Sequence, residues 1–185
     1  MSKDDGKDQE SRRGRLTVDG DTATLVFERV LHHAPELVWE AISTPEGLSE
    51  WLMCREATID GRTGGRIEMV SGPPGYRSTG RILIWDRPRV LEYEWKVAPV
   101  PEMPLGEDAV FRYELTPQPS STRLTVTYRR ITAQIVRGFL SGLHAFLDRF
   151  AAQLDGDPLP DWLARFGELR GLYPEWTEHA APPAT

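Results

Sequence analysis

The sequence predicts an α+β fold: a curved antiparallel sheet of about six to seven strands wrapped on a long C-terminal helix, with two short helices after the first strand. Three observations lead there. Between Cys54 and Arg130 the chain is a succession of short apolar–polar runs separated by tight turns, the pattern of hairpin-connected strands. Further on, Phe139, Leu143, Phe146, Leu147, Phe150 and Leu154 recur at spacings that gather them on one broad helix face. Strands are thus grouped together, not alternated with helices, which indicates α+β and not α/β.

Each element has a local reason. Residues 1–20 are charged and without periodicity, and are expected to be a disordered tail. "TATLVFERVLHH" is rich in β-branched and apolar residues and reads as a strand from Thr22 to about His32. Pro35 suits a first helical position, and Glu36 meets the positive end of the helix dipole. Thr44 can cap a second short helix that Pro45 opens and Trp51 closes. Helices this short are marginal in water, so both must lie on something. "REATIDG", "RIEMV", "YRSTGRILIW", "VLEYEWKV", "AVFRYEL" and "RLTVTYR" are the strands that follow. In "VLEYEWKV", Leu91, Tyr93 and Trp95 face one way and Glu92, Glu94 and Lys96 the other, so one face is wet. "DGDP" ends the long helix, and "PDWLARFGEL" is a second amphipathic piece expected to dock back on the body.

Bulk properties exclude several function classes. The 185 residues carry 39% hydrophobic and 27% charged residues, ordinary for a globular chain, and fit one domain with tails. A formal charge of -6 argues against nucleic acid as partner, because that affinity rests on clustered Lys and Arg. The single cysteine, Cys54, leaves no internal disulfide and fits a reducing compartment; with no signal-peptide pattern at the N-terminus, the expected location is cytoplasmic. No apolar run approaches the ~20 residues of a membrane span. His32 and His33 are adjacent on a strand and point to opposite faces, so neither a metal nor a cofactor is expected. "GRTGGR" lacks the ending of a phosphate loop and reads as a hairpin turn.

The segments "APELVWEAISTPEGLSEWL", "GGRIEM", "RVLEYEW" and "SGLHAFLDRFAAQLDG" resemble those of the START-like, helix-grip (SRPBCC) superfamily. Within it, they are similar to the branch containing the C-terminal domain of activators of the heat-shock-protein-90 ATPase. The resemblance covers about residues 21–156, leaving 157–185 as a C-terminal extension with a short amphipathic helix. It implies a sheet gripping the long helix, with a cavity between them that takes apolar ligands. One departure stands out: Gly142-Leu143 replaces the Gly-Trp pair of such helices, giving the interior a smaller side chain. The extension could close or fill the pocket mouth.

The expected cavity-lining residues are Trp39, Trp51, Met53, Met69, Trp85, Tyr93, Trp95, Phe111, Tyr113, Leu143, His144 and Leu147. Each has a plain alternative reading as core packing, because sequence alone does not separate a void from filled space. His144 sits at the border of the helix stripe, where it could be an acid or base or simply a boundary residue. Three functions are compatible. The first is a non-enzymatic binder of a small hydrophobic molecule or lipid. The second is a co-chaperone-like protein-interaction module that modulates a heat-shock ATPase. The third is an enzyme like the superfamily's polyketide cyclases and dehydratases, with His144 or Tyr113 as acid or base; no catalytic residue is assigned on sequence grounds.

Overall fold

The computed structural model describes residues 12–173. The elements run β1 (Arg15–Asp19), β2 (Thr22–Leu31), α1 (Pro35–Ser43), α2 (Pro45–Trp51), β3 (Glu56–Ile59), β4 (Arg66–Ser71), β5 (Tyr76–Asp86), β6 (Val90–Val97), β7 (Glu107–Gln118), β8 (Ser121–Thr132), α3 (Val136–Asp155) and α4 (Trp162–Arg170). The strands form one antiparallel sheet in the order β1-β2-β8-β7-β6-β5-β4-β3. From β3 onward it is a meander, and β8 returns to pair with β2. Among the described residues, no helix is long and apolar enough to cross a membrane, and no group of His, Cys, Asp or Glu is arranged to hold a metal ion.

The sheet gains a strand where the sequence reading placed the end of a disordered tail. Arg15–Asp19 pairs with β2, Leu16 opposite Leu25 and Asp19 opposite Thr22. The turn is Gly20-Asp21, with Gly20 at φ 56. A two-residue Gly-Asp loop between β-prone runs is a short hairpin signal, here masked by the charged residues before it. Residues 1–11 of that expected tail, and 174–185 of the expected extension, lie outside the described residues.

Inward side chains line up across the ladder. One row runs Phe27, Val126, Tyr113, Leu91 and Trp85; the next runs Leu25, Tyr128, Phe111, Tyr93 and Ile82. Gly80 lets β5 and β6 approach near their register shift, because a Cβ there would fall 1.8 Å from the Glu94 carbonyl oxygen. The long helix ends where Gly156 turns left-handed at φ 73.

The two short helices meet the C-terminal end of α3. Thr44 Oγ1 accepts from Gly47 N at 3.0 Å, capping α2. Trp51 is fully buried. Its Nε1 donates to the Ala41 carbonyl at 3.0 Å, and its ring lies edge-to-face on Phe150 with centroids 4.9 Å apart. Arg149 donates to the carbonyls of Glu50 and Trp51, while Gln153 accepts from Trp51 N and donates to Gly47 O. Phe150→Ala removes the apolar half of this joint and is expected to cost about 3–5 kcal/mol. In urea unfolding this would appear as a lowered midpoint with an unchanged slope.

Candidate functional site

Between the sheet and α3 lies a cavity of about 400 Å³. Its sheet wall comes from Met69, Tyr93, Trp95, Phe111, Tyr113 and Tyr128, and its helix wall from Phe139, Leu143 and Phe146. The gap has a cause in sequence: Gly138 and Gly142 sit on the same stripe of α3, one turn apart, and withdraw side-chain volume from it. A Cβ at Gly138 would meet nothing within 4 Å. The mouth is framed by Leu52, by the Pro73-Pro74 turn, by Tyr76, by Glu102 and Met103 of the loop before β7, and by Trp162 and Phe166 of α4.

The lining is dominated by aromatic rings. Phe111 packs on Tyr128 with centroids 3.6 Å apart, and Trp95 meets Phe111, Tyr128 and Phe139 edge-on. Three phenols of the sheet wall supply polarity inside. The Tyr93 and Tyr113 rings stack with centroids 6.3 Å apart. Burial pushes Tyr113 up to about 12 and Tyr93 further above its ordinary range. Tyr128 is raised as well, by burial first and then by the negative charge of Glu107. All three therefore stay protonated at neutral pH and serve as donors, not bases. Among the lining residues there is no Lys, Arg or His.

Of the residues expected from sequence, Met69, Tyr93, Trp95, Phe111, Tyr113 and Leu143 line this space. The other six lie elsewhere. Trp39 is buried edge-to-face against Trp85, at 5.1 Å between centroids, and Trp51 is the joint described above. Met53 occupies a tight left-handed turn at φ 54 after α2. Leu147 is buried in the core beside the cavity face, and His144 is on the far side of α3. Tyr128, Phe139 and Phe146 were legible as inward or stripe positions but were not singled out. Trp162, Phe166 and Met103 come from segments whose placement only the tertiary structure decides.

A sheet folded around one long helix, with an apolar cavity between them, defines the START-like, helix-grip class, and this chain is a member of that superfamily. More narrowly, it belongs to the Activator of Hsp90 ATPase homolog 1-like protein family, whose profile matches residues 32–155. No curated protein matches the chain at a significant level. Solved structures do. Protein MLL2253 from Mesorhizobium loti is 27% identical with a TM-score of 0.63, the match covering 74% of this chain and 99% of that one. CalU16 from Micromonospora echinospora is 21% identical with a TM-score of 0.66, covering 89% and 94%. The BPP1335 product of Bordetella parapertussis is 20% identical with a TM-score of 0.65, covering 88% and 90%. The last two likenesses speak to fold alone.

His144 belongs to a second polar centre, across α3 from the cavity. The residue is 1% exposed. Nδ1 lies 2.7 Å from the Tyr173 hydroxyl, which accepts in turn from Gly14 N at 3.0 Å. With that hydroxyl donating to Nδ1, the neutral ring carries its proton on Nε2, 3.6 Å from Asp148 Oδ1. Asp148 is held by Arg165 at 2.8 Å and faces Arg29 at 3.6 Å. Burial, then the positive charges of Arg29, Arg165 and Arg12, push His144 down to about 2. An acid–base role toward a cavity ligand is therefore closed to it.

This neutral histidine has a pH signature. The unfolded chain takes up a proton below about pH 6.5 that the folded chain refuses until about pH 2. The contribution is complete above pH 6.5 and lost as pH falls below it, at up to about 1.4 kcal/mol per pH unit. Urea unfolding at pH values from about 7 down to 5 is expected to show that loss, and His144→Gln to flatten it. A level wild-type curve would mean that the folded protein tolerates a charged imidazole there.

Proposed function

We propose that this protein binds a small hydrophobic molecule in the cavity between the sheet and α3. The observation that carries the reading is an apolar, aromatic-lined space of about 400 Å³, within the range of small-molecule sites, with a few donors able to orient what enters. Family membership is compatible with it. The burial of Cys54, whose thiol is pushed up by desolvation, suits a reducing cytoplasm and leaves it a packing role, not a nucleophile's.

The family's description favours a second reading, a protein-interaction module that modulates a heat-shock ATPase. The two make different demands, since the module needs an outer surface and the binder needs the void. An ATPase assay with the organism's own chaperone tests the former, and an unchanged rate would count against it. A cyclase-like activity finds less support: with His144 on the far side of α3, acid–base work falls to Tyr113, a phenol that burial holds at about 12.

The void itself is testable. Leu143→Trp places a larger side chain into the cavity from the helix wall. It is expected to leave the fold intact, at a cost of ~1–3 kcal/mol for overpacking. Native mass spectrometry of the purified protein should show small molecules retained by the wild type and lost from Leu143→Trp. Equal retention in both would sink the cavity reading.

A further inference from the structure

The family profile ends at residue 155, yet two of the cavity's aromatic rings come from α4, beyond that boundary. Helix α4 rests chiefly on α3. Gly142 makes the seat for its first residue: a Cβ there would come within 3.3 Å of the Trp162 ring. Trp162 lies against Phe146 at 5.4 Å and stacks on Phe166 at 5.0 Å, with planes 14° apart. Arg165 grips Asp148, and Arg149 donates to the Pro160 carbonyl, so the helix is fixed at its start and along its length.

Resting on the cavity reading above, we propose that α4 completes a subsite for an uncharged, planar aromatic molecule carrying a hydrogen-bond acceptor, with Trp162 and Phe166 as specificity-determining residues. Three observations converge. The walls on both sides are aromatic, which rewards flat π-surfaces over flexible chains. A carboxylate finds no counter-charge, since the lining holds no Lys, Arg or His, and removing an anion from water without a partner is costly. Finally, among the described residues two donors in the lining side chains have no hydrogen-bond partner: the Tyr128 hydroxyl on the sheet side and Trp162 Nε1 on the helix side. A ligand acceptor would satisfy one of them.

Four probes separate the possibilities: acetonaphthone, naphthalene, decanol and decanoate, titrated calorimetrically into the full chain. The wild type is expected to bind acetonaphthone tightest and decanoate at least about tenfold more weakly than decanol. The double variant Trp162→Leu/Phe166→Leu keeps apolar volume but removes the rings. It should lose about tenfold for both naphthyl probes and little for decanol. Trp162→Phe keeps a ring without the N–H and should weaken acetonaphthone about fivefold while sparing naphthalene. Circular dichroism establishes that each variant is folded. If decanoate matches decanol, or if the double variant weakens all probes alike, the subsite is wrong while the cavity stands. If no probe binds the wild type, the cavity reading falls and this inference with it.

Discussion

The distance between α3 and the sheet is the constraint on which the rest of the molecule depends. A helix with an apolar stripe would settle on the aromatic rows of the sheet until no space remained, because packed interiors gain dispersion contacts that voids forfeit. Here the two glycines of the stripe remove volume in the middle while the ends are held. At the C-terminal end Trp51 is a strut, wedged between α1 and Phe150 and pinned by Arg149 and Gln153. Behind the helix, the Asp148 centre ties it to β2 and α4. A helix fixed at its end and along its back does not collapse onto a gap at its front.

That arrangement explains what the sequence did and did not disclose. The seven strands β2–β8, both proline-opened helices and the long stripe were legible, because each rests on local periodicity and turn chemistry. Strand β1 was hidden by its charged neighbours although its Gly-Asp turn was in plain view. The inward positions of β6 and β7 could be read as cavity wall, since strand alternation fixes which side Tyr93, Phe111 and Tyr113 face. Whether Trp39 and Trp51 were wall or strut could not, because an indole on a short helix is apolar either way and only the partner decides. His144 shows the same limit. At the border of a stripe a histidine can turn to either side, and it turned to Asp148, its i,i+4 neighbour on α3, and to Tyr173, which no local spacing points to.

Charge is distributed to match. On the outer face of the sheet, Glu92 is nearly enclosed and receives Arg129 bidentately, with Arg112 bridging it to Glu114. Hydrogen bonds from Arg129 first, and from Arg112, hold its carboxyl below the usual range against the opposing effect of burial. Such a cross-strand network stiffens the sheet from outside without placing a charge inside. The inner face carries phenols instead. Both faces of one sheet are thus polar enough to be specific, but the sheet residues that line the cavity carry no charged side chain.

Helix α3 is then a partition between two chemistries, and α4 straddles it. From one helix of nine residues, Arg165 reaches the carboxylate behind α3 while Trp162 and Phe166 reach the cavity in front. The contacts are coupled by rigid geometry: a helix fixes the angle between its own side chains, so holding the guanidinium holds the rings. An ion pair buried between Arg29, His144 and Tyr173 is a poor source of net stability, because desolvation offsets most of its attraction. Its directionality survives that cancellation, and it is direction that a thin helix resting chiefly on one neighbour requires. The neutral imidazole fits the same logic. A charged His144 beside Arg29 and Arg165 would compete for Asp148, whereas the neutral ring leaves that carboxylate to the arginine that positions the cavity wall.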